Sequence, residues 1–187
     1  MNNTLYLFSG KSASGKTTVA NFLEKKHNLK QVNSYTTRSP RYDGEIGHIF
    51  VNDEQFDNLG ELVAYTEYNG HRYGTTAEQL DQCQIYIVDV PGIKTLLERY
   101  KTDRKIVILY FSSTICTRIN RMIDRGDSDA AIISRLLQDE KTDWDDEIDD
   151  VIWQYKEFWG KKILLYDMYA DDDLASVVTR AERYMGA

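Results

Sequence analysis

Residues 10–17 read Gly-Lys-Ser-Ala-Ser-Gly-Lys-Thr, the pattern GxxxxGK[ST], between an apolar run at 5–8 and a helically spaced set at Val19, Phe22 and Leu23. No other feature restricts the chain as much. The glycines let the backbone curl until successive N–H groups point at one spot, and the helix that follows adds the positive end of its dipole. A loop of this kind holds phosphate. Lys16 is spaced to reach the β- and γ-phosphates of a nucleoside triphosphate, and the Thr17 hydroxyl to ligate Mg²⁺. Gly10, Ser12, Ala13, Ser14, Gly15 and Thr18 complete the donor-binding set. The plainer alternative is a Gly/Ser-rich strand-to-helix turn with no ligand. At average residue frequencies the pattern arises in about one chain of this length per hundred, and here strand and helix stand on the correct sides.

Apolar, β-branched or aromatic runs recur at 85–88, 106–111 and 163–166, with little polar alternation, as in strands covered on both faces. Helical spacing follows each: Ile93, Leu96, Leu97; then Ile115, Ile119, Met122, Ile123; then Leu174, Val177, Val178, Ala181. Strand alternating with helix predicts an α/β fold with a mostly parallel sheet flanked by helices. Two stretches break the rhythm. Residues 34–83 read as a small β-rich insertion with a hairpin at Asn69-Gly70, a pair suited to a type I′ turn. Residues 126–160 are polar, acidic and helical, and the plain reading of the acid at 139–150 is a solvated face. Asp89 ends the run at 85–88, where a carboxylate at a strand's carboxyl end can serve a metal near the phosphate loop. Capping the turn at Pro91-Gly92 is its alternative.

At 187 residues, 42% of them hydrophobic, one domain with its own core is expected over 1–187. Cys83 and Cys116 are isolated and the three histidines show no ligand spacing, so a disulfide framework or zinc site is not expected. A net charge of −7 lacks the footprint of a nucleic-acid binder. No run is long enough to span a bilayer and no signal peptide is evident, so a cytoplasmic protein without membrane partners is expected.

Arg38 and Arg41 stand three apart around Pro40, so both guanidinium groups can address one anion, and Tyr73 can add a hydroxyl. The segment from Ser34 to Glu45 (S-Y-T-T-R-S-P-R-Y-D-G-E), Tyr73-Gly74-Thr75 and the strand ending at Asp89 resemble the guanylate kinase family. The likeness covers about residues 4–140. It implies a P-loop kinase whose core spans 1–33, 84–125 and 161–187, a nucleoside-monophosphate (NMP)-binding lobe at 34–83 and a lid at 126–160. It further implies that Arg38, Arg41 and Tyr73 hold the acceptor phosphate, and that Ser34, Glu45, Thr75 and Asp89 take part in acceptor binding. Arg121, Arg125 and Arg135 resemble lid arginines that contact ATP and the transferred phosphoryl group. Three positions depart from the pattern. A second phosphate tyrosine has no counterpart, with His48 nearby; Ile87 stands where the family has an aspartate; and Ala64 stands where its base-reading glutamate would be.

The resulting expectation is ATP- and Mg²⁺-dependent phosphoryl transfer to a nucleoside monophosphate of open base preference. Lys16, Arg38, Arg41, Arg125 and Arg135 form the catalytic set, Thr17 and Asp89 serve the metal, and both lobes close to exclude water. A monomer or weak dimer binding small nucleotides is expected. Alternatives are a sugar-phosphate kinase of the ribose bisphosphokinase type and a non-catalytic guanylate-kinase-like binding module. The intact Lys16 and Thr17 speak against the module.

Overall fold

The computed structural model describes residues 3–141, 144–159 and 163–186. In chain order the elements are β1 (Thr4–Ser9), α1 (Lys16–His27), β2 (Ser34–Thr36), β3 (His48–Phe50), α2 (Asp53–Asp57), β4 (Ala64–Tyr68), β5 (His71–Thr75) and α3 (Ala77–Asp81). There follow β6 (Ile85–Ile87), α4 (Val90–Arg99), β7 (Lys105–Ser112), α5 (Ile115–Asp124), α6 (Asp129–Glu140), α7 (Trp144–Trp159), β8 (Ile163–Tyr169) and α8 (Leu174–Met185).

The central sheet runs β6-β1-β7-β8, parallel throughout, with Tyr6 opposite Ile85 and Val107, and Val107 opposite Leu164. Successive residues of β1 and β7 point to opposite faces, and both faces are covered. Leu5, Leu7, Ile106 and Ile108 pack with Ile93, Leu96 and Leu97 of α4. Tyr6, Phe8, Val107 and Leu109 pack with Val19, Ala20 and Leu23 of α1 and with Val177, Val178 and Ala181 of α8. The unbroken apolar runs are therefore what a doubly covered sheet demands. This strand order sets the carboxyl end of β1 between those of β6 and β7, the crevice where open α/β sheets bind ligands.

The 34–83 insertion holds a second sheet of order β3-β2-β5-β4, with β2 parallel to β3 and antiparallel to β5. Its hairpin pairs Tyr68 with His71 through Asn69 (φ 53°) and Gly70 (φ 76°). Both turn residues are left-handed, the type I′ geometry that Asn-Gly favours.

The 126–160 stretch divides. α6 reaches over the phosphate loop, whereas α7 lies along the core, with Ile148 and Val151 buried against the α4 face of the sheet. Residues 160–162, where lid was expected to give way to core, lie outside the described residues. Among the described residues no helix is long and apolar enough to cross a membrane.

Candidate active site

The phosphate loop leaves β1 at Gly10 (φ 133°) and enters α1 through Gly15 (φ 100°), with Ala13 also left-handed (φ 60°). A side chain at Gly10 would put its Cβ 2.2 Å from the Phe111 carbonyl oxygen, so only glycine permits this approach. Lys16 curls back over the loop and donates to the Gly10 and Lys11 carbonyls (2.6 and 2.8 Å) and to Ser14 Oγ (3.2 Å). Burial lowers its pKa to about 8, although the Asp139 charge works the other way. The amine is thus half-buried and held by neutral oxygens alone, so it stands to gain from an anion.

Two cavities open on either side of this lysine, and Lys16 lines both. The first is bounded by the loop from Ala13 to Thr18, by Arg121 and Arg125, and by residues after β8. Arg121 donates to the Ala13 and Ala170 carbonyls (3.3 and 2.5 Å), tying α5 to the loop and to the end of β8. Arg125 grips Asp127 with two bonds (3.0 and 2.5 Å), and Arg135 approaches the same carboxylate at 3.5 Å.

The second cavity lies between the small sheet, α6 and the carboxyl ends of β1 and β6. Ser34, Arg41, His48, Tyr73, Asp89 and Arg135 line it together with Gly10 and Ser12. His48 stands beside Tyr73 (ring centroids 5.7 Å apart) with Nδ1 3.0 Å from Ser34 Oγ. Burial, then the Arg38 charge, pushes its pKa down to about 4, so the ring is neutral at neutral pH. Burial and the nearby Arg135 charge also lower the pKa of Arg41. Guanidinium groups from two lobes thus face one space, which suits an anion.

Several expected residues sit elsewhere. Arg38 is clamped by Glu45 through two 2.9 Å bonds, lies over the Phe50 ring, and does not line the cavity. Its Nε is buried without a hydrogen-bond partner among the described residues. Both Glu45 carboxylate oxygens accept from Arg38, and Oε2 also accepts from the Arg41 N–H (2.7 Å). Burial opposes ionisation of Glu45, but hydrogen bonds from Arg38 and the Arg41 N–H hold its pKa at about 2. Thr75, expected to contact the acceptor, is fully buried and donates to Tyr86 Oη (2.9 Å) beneath the cavity. Asp89, expected both at the acceptor and at the metal, opens onto the second cavity. Its Oδ1 caps α4 by accepting from the Gly92 N–H (2.9 Å), its Oδ2 accepts from Thr66 (2.8 Å), and burial raises its pKa. Among the described residues no cluster of three or more His, Cys, Asp or Glu could hold a metal.

Thr66, Tyr68, Tyr86 and Asp139 also line the second cavity and were missed from sequence. The alternation along β4 carried a signal for two of them: Thr66 and Tyr68 share a strand face with Ala64. Tyr86 sits inside an apolar run and reads as core. Asp139 lies in the acidic stretch expected to be solvated, yet it is only 1% exposed.

No family model matches the sequence. The guanylate kinase of Geobacter metallireducens is 31% identical over 195 residues, spanning 96% of this chain and 89% of that protein. The guanylate kinase of Streptomyces kasugaensis is 34% identical over 145 residues, 71% of this chain and 70% of that one. A crystal structure of guanylate kinase from Anaplasma phagocytophilum shares the fold, with a TM-score of 0.54 at 17% identity over 98% of this chain and 85% of that chain. With a phosphate loop between two cavities, and near-full-length similarity to the Geobacter protein, the chain belongs to the guanylate kinase family.

Proposed function

We propose that the protein transfers the γ-phosphoryl group of ATP, bound with Mg²⁺, to a nucleoside monophosphate, with little preference for guanine. The observation that carries this reading is that Lys16 borders both cavities, so one charge can follow the group from donor to acceptor. The triphosphate would lie along the loop from Ala13 to Thr18 with Arg121 and Arg125, and the monophosphate against Ser34, Arg41, His48 and Tyr73. Arg135 and Lys16 neutralise the group in flight. No covalent nucleophile is needed, since positioning and charge neutralisation carry phosphoryl transfer. Mg²⁺ takes few protein ligands and completes its shell with phosphates and water. The hard oxygen of Thr17, on the donor cavity, fits that role, and the ion would supply positive charge against the phosphates.

The weak guanine preference rests on three positions. Ala64, fully buried, offers no acceptor, and Ile87 no charge. Glu67, the nearest carboxylate along β4, is exposed on the opposite face and accepts from Tyr65 (2.5 Å). Losing a charged acceptor removes about 1.5–3 kcal/mol per hydrogen bond, a discrimination of tens- to hundreds-fold.

A coupled assay of GMP against AMP, CMP, UMP and dTMP tests this. Comparable kcat/KM for GMP and at least one other monophosphate is expected, and strong GMP selectivity would overturn the base assignment. Lys16→Ala should stay folded and lose about a hundredfold or more in kcat. Turnover of a sugar phosphate but of no nucleoside monophosphate would favour the sugar-phosphate alternative.

A further inference from the structure

One buried carboxylate has no part in this mechanism. Asp139, near the end of α6, accepts four hydrogen bonds. Oδ2 takes the Ser12 backbone N–H (2.9 Å) and Arg118 Nη1 (2.7 Å); Oδ1 takes Ser12 Oγ (3.1 Å) and Tyr68 Oη (3.3 Å). Arg118, on α5, is itself buried, 6% exposed. One carboxylate therefore joins the phosphate loop, the acceptor lobe, the core helix α5 and the lid helix α6. None of the roles implied by the family resemblance falls on Asp139, Arg118 or Tyr68.

A buried ion pair is seldom a net source of stability, because two desolvated charges cost about as much as their attraction returns. What this pair adds is direction. The carboxylate is saturated by protein donors and meets the loop at Ser12, on the acceptor side, while the donor cavity is lined by Ala13 onward. It is therefore not placed to bind the triphosphate. Arg135 lies four residues earlier, on the same face of α6, and lines the acceptor cavity. Wherever Asp139 is fixed, Arg135 is aimed.

We propose that Asp139 is a positioning residue: bonded to Ser12, Tyr68 and Arg118, it locks the lid helix and acceptor lobe onto the phosphate loop and so holds Arg135 over the acceptor phosphate. The catalytic consequence rests on the kinase reading above; the lock itself does not.

The test compares the wild type with Asp139→Asn, with Tyr68→Phe, and with the double variant Arg118→Met/Asp139→Leu. The double variant removes both charges and refills their volume, so it retains the fold. If the pair were only structural, it would also retain activity. The lock instead requires kcat in Asp139→Asn and in the double variant to fall about tenfold to a hundredfold, the scale of a misplaced catalytic group. KM for ATP should change by less than about threefold, since the donor cavity is untouched. In ligand-free protein, amide exchange over 129–140 should quicken in both variants while β1 and β7 stay protected. A folded double variant with wild-type kcat, or unchanged exchange over 129–140, overturns the proposal. Should the double variant not fold, Tyr68→Phe decides, since it deletes one hydroxyl: faster exchange over 129–140 is expected, and unchanged exchange overturns the lock. Inactivity of the wild type on every monophosphate would refute the kinase reading, and the exchange measurements would still decide the lock.

Discussion

Glu45 gives up its proton far more readily than an ordinary carboxylic acid, because two arginines surround it. Its folded pKa is about 2 against an ordinary 4.5, so its contribution to stability is complete above the ordinary value and disappears as pH falls through the folded one. The wild type should therefore lose melting temperature between about pH 4.5 and 2, and Glu45→Gln should show a flatter profile there and a lower melting temperature at neutral pH. Identical slopes in a pH series of thermal melts would show that the clamp on Arg38 contributes nothing. The same residue shows how sequence can name a site and misplace its parts. The spacing of Arg38 and Arg41 aimed both at one anion, and the family resemblance added Glu45, but opposite charges within reach pair with each other. Only the folded loop shows that Glu45 grips Arg38 with two bonds, while Arg41, 3.6 Å from the same carboxylate, also lines the cavity.

At the scale of elements, the loop between β1 and α1 depends on one contact the sequence does not display. The glycine at position 10 follows from the motif; its reason is the Phe111 carbonyl on β7, 2.2 Å from where a Cβ would stand. Gly10→Ala should lower unfolding free energy by about 2–4 kcal/mol, because strained φ and a backbone clash add and neither strand can move away. Urea unfolding with an unchanged m-value would measure it, and a loss within experimental error would show that the strand ends give way. The long strands and helices were readable because each keeps a single period of two or 3.6 for most of its length. The Asn69-Gly70 hairpin was readable from its turn chemistry. The acidic stretch was read as a solvated face, yet it runs into α7, where Ile148 and Val151, three apart on one stripe, pack against the core.

At the scale of the molecule, the lobes were expected to close over substrates, and the structure places α6 and β4 already in contact through Asp139. Arg41 and Arg135 repel across the acceptor cavity, and an anion between them would relieve that. Small-angle scattering with and without a bisubstrate analogue should then report a modest compaction of the wild type and a larger one for Asp139→Asn, whose free state lacks the lock. A variant that compacts no more than the wild type would place the closing force elsewhere.

The sequence by itself determined the phosphate loop, the parallel α/β core and the acceptor segment, because each is written in local patterns: glycines at fixed spacing, doubly buried strands, arginines around a proline. Tertiary structure alone decided where three further side chains stand. Thr75 turned inward to Tyr86, Asp89 became a cap that opens onto the cavity, and Asp139 left an acidic surface stretch for the centre of the site. Hydrogen bonds between groups 127 residues apart, as between Ser12 and Asp139, leave no mark on local periodicity. They exist only once the packing of helices on the sheet has removed water and made an unpaired polar group costly.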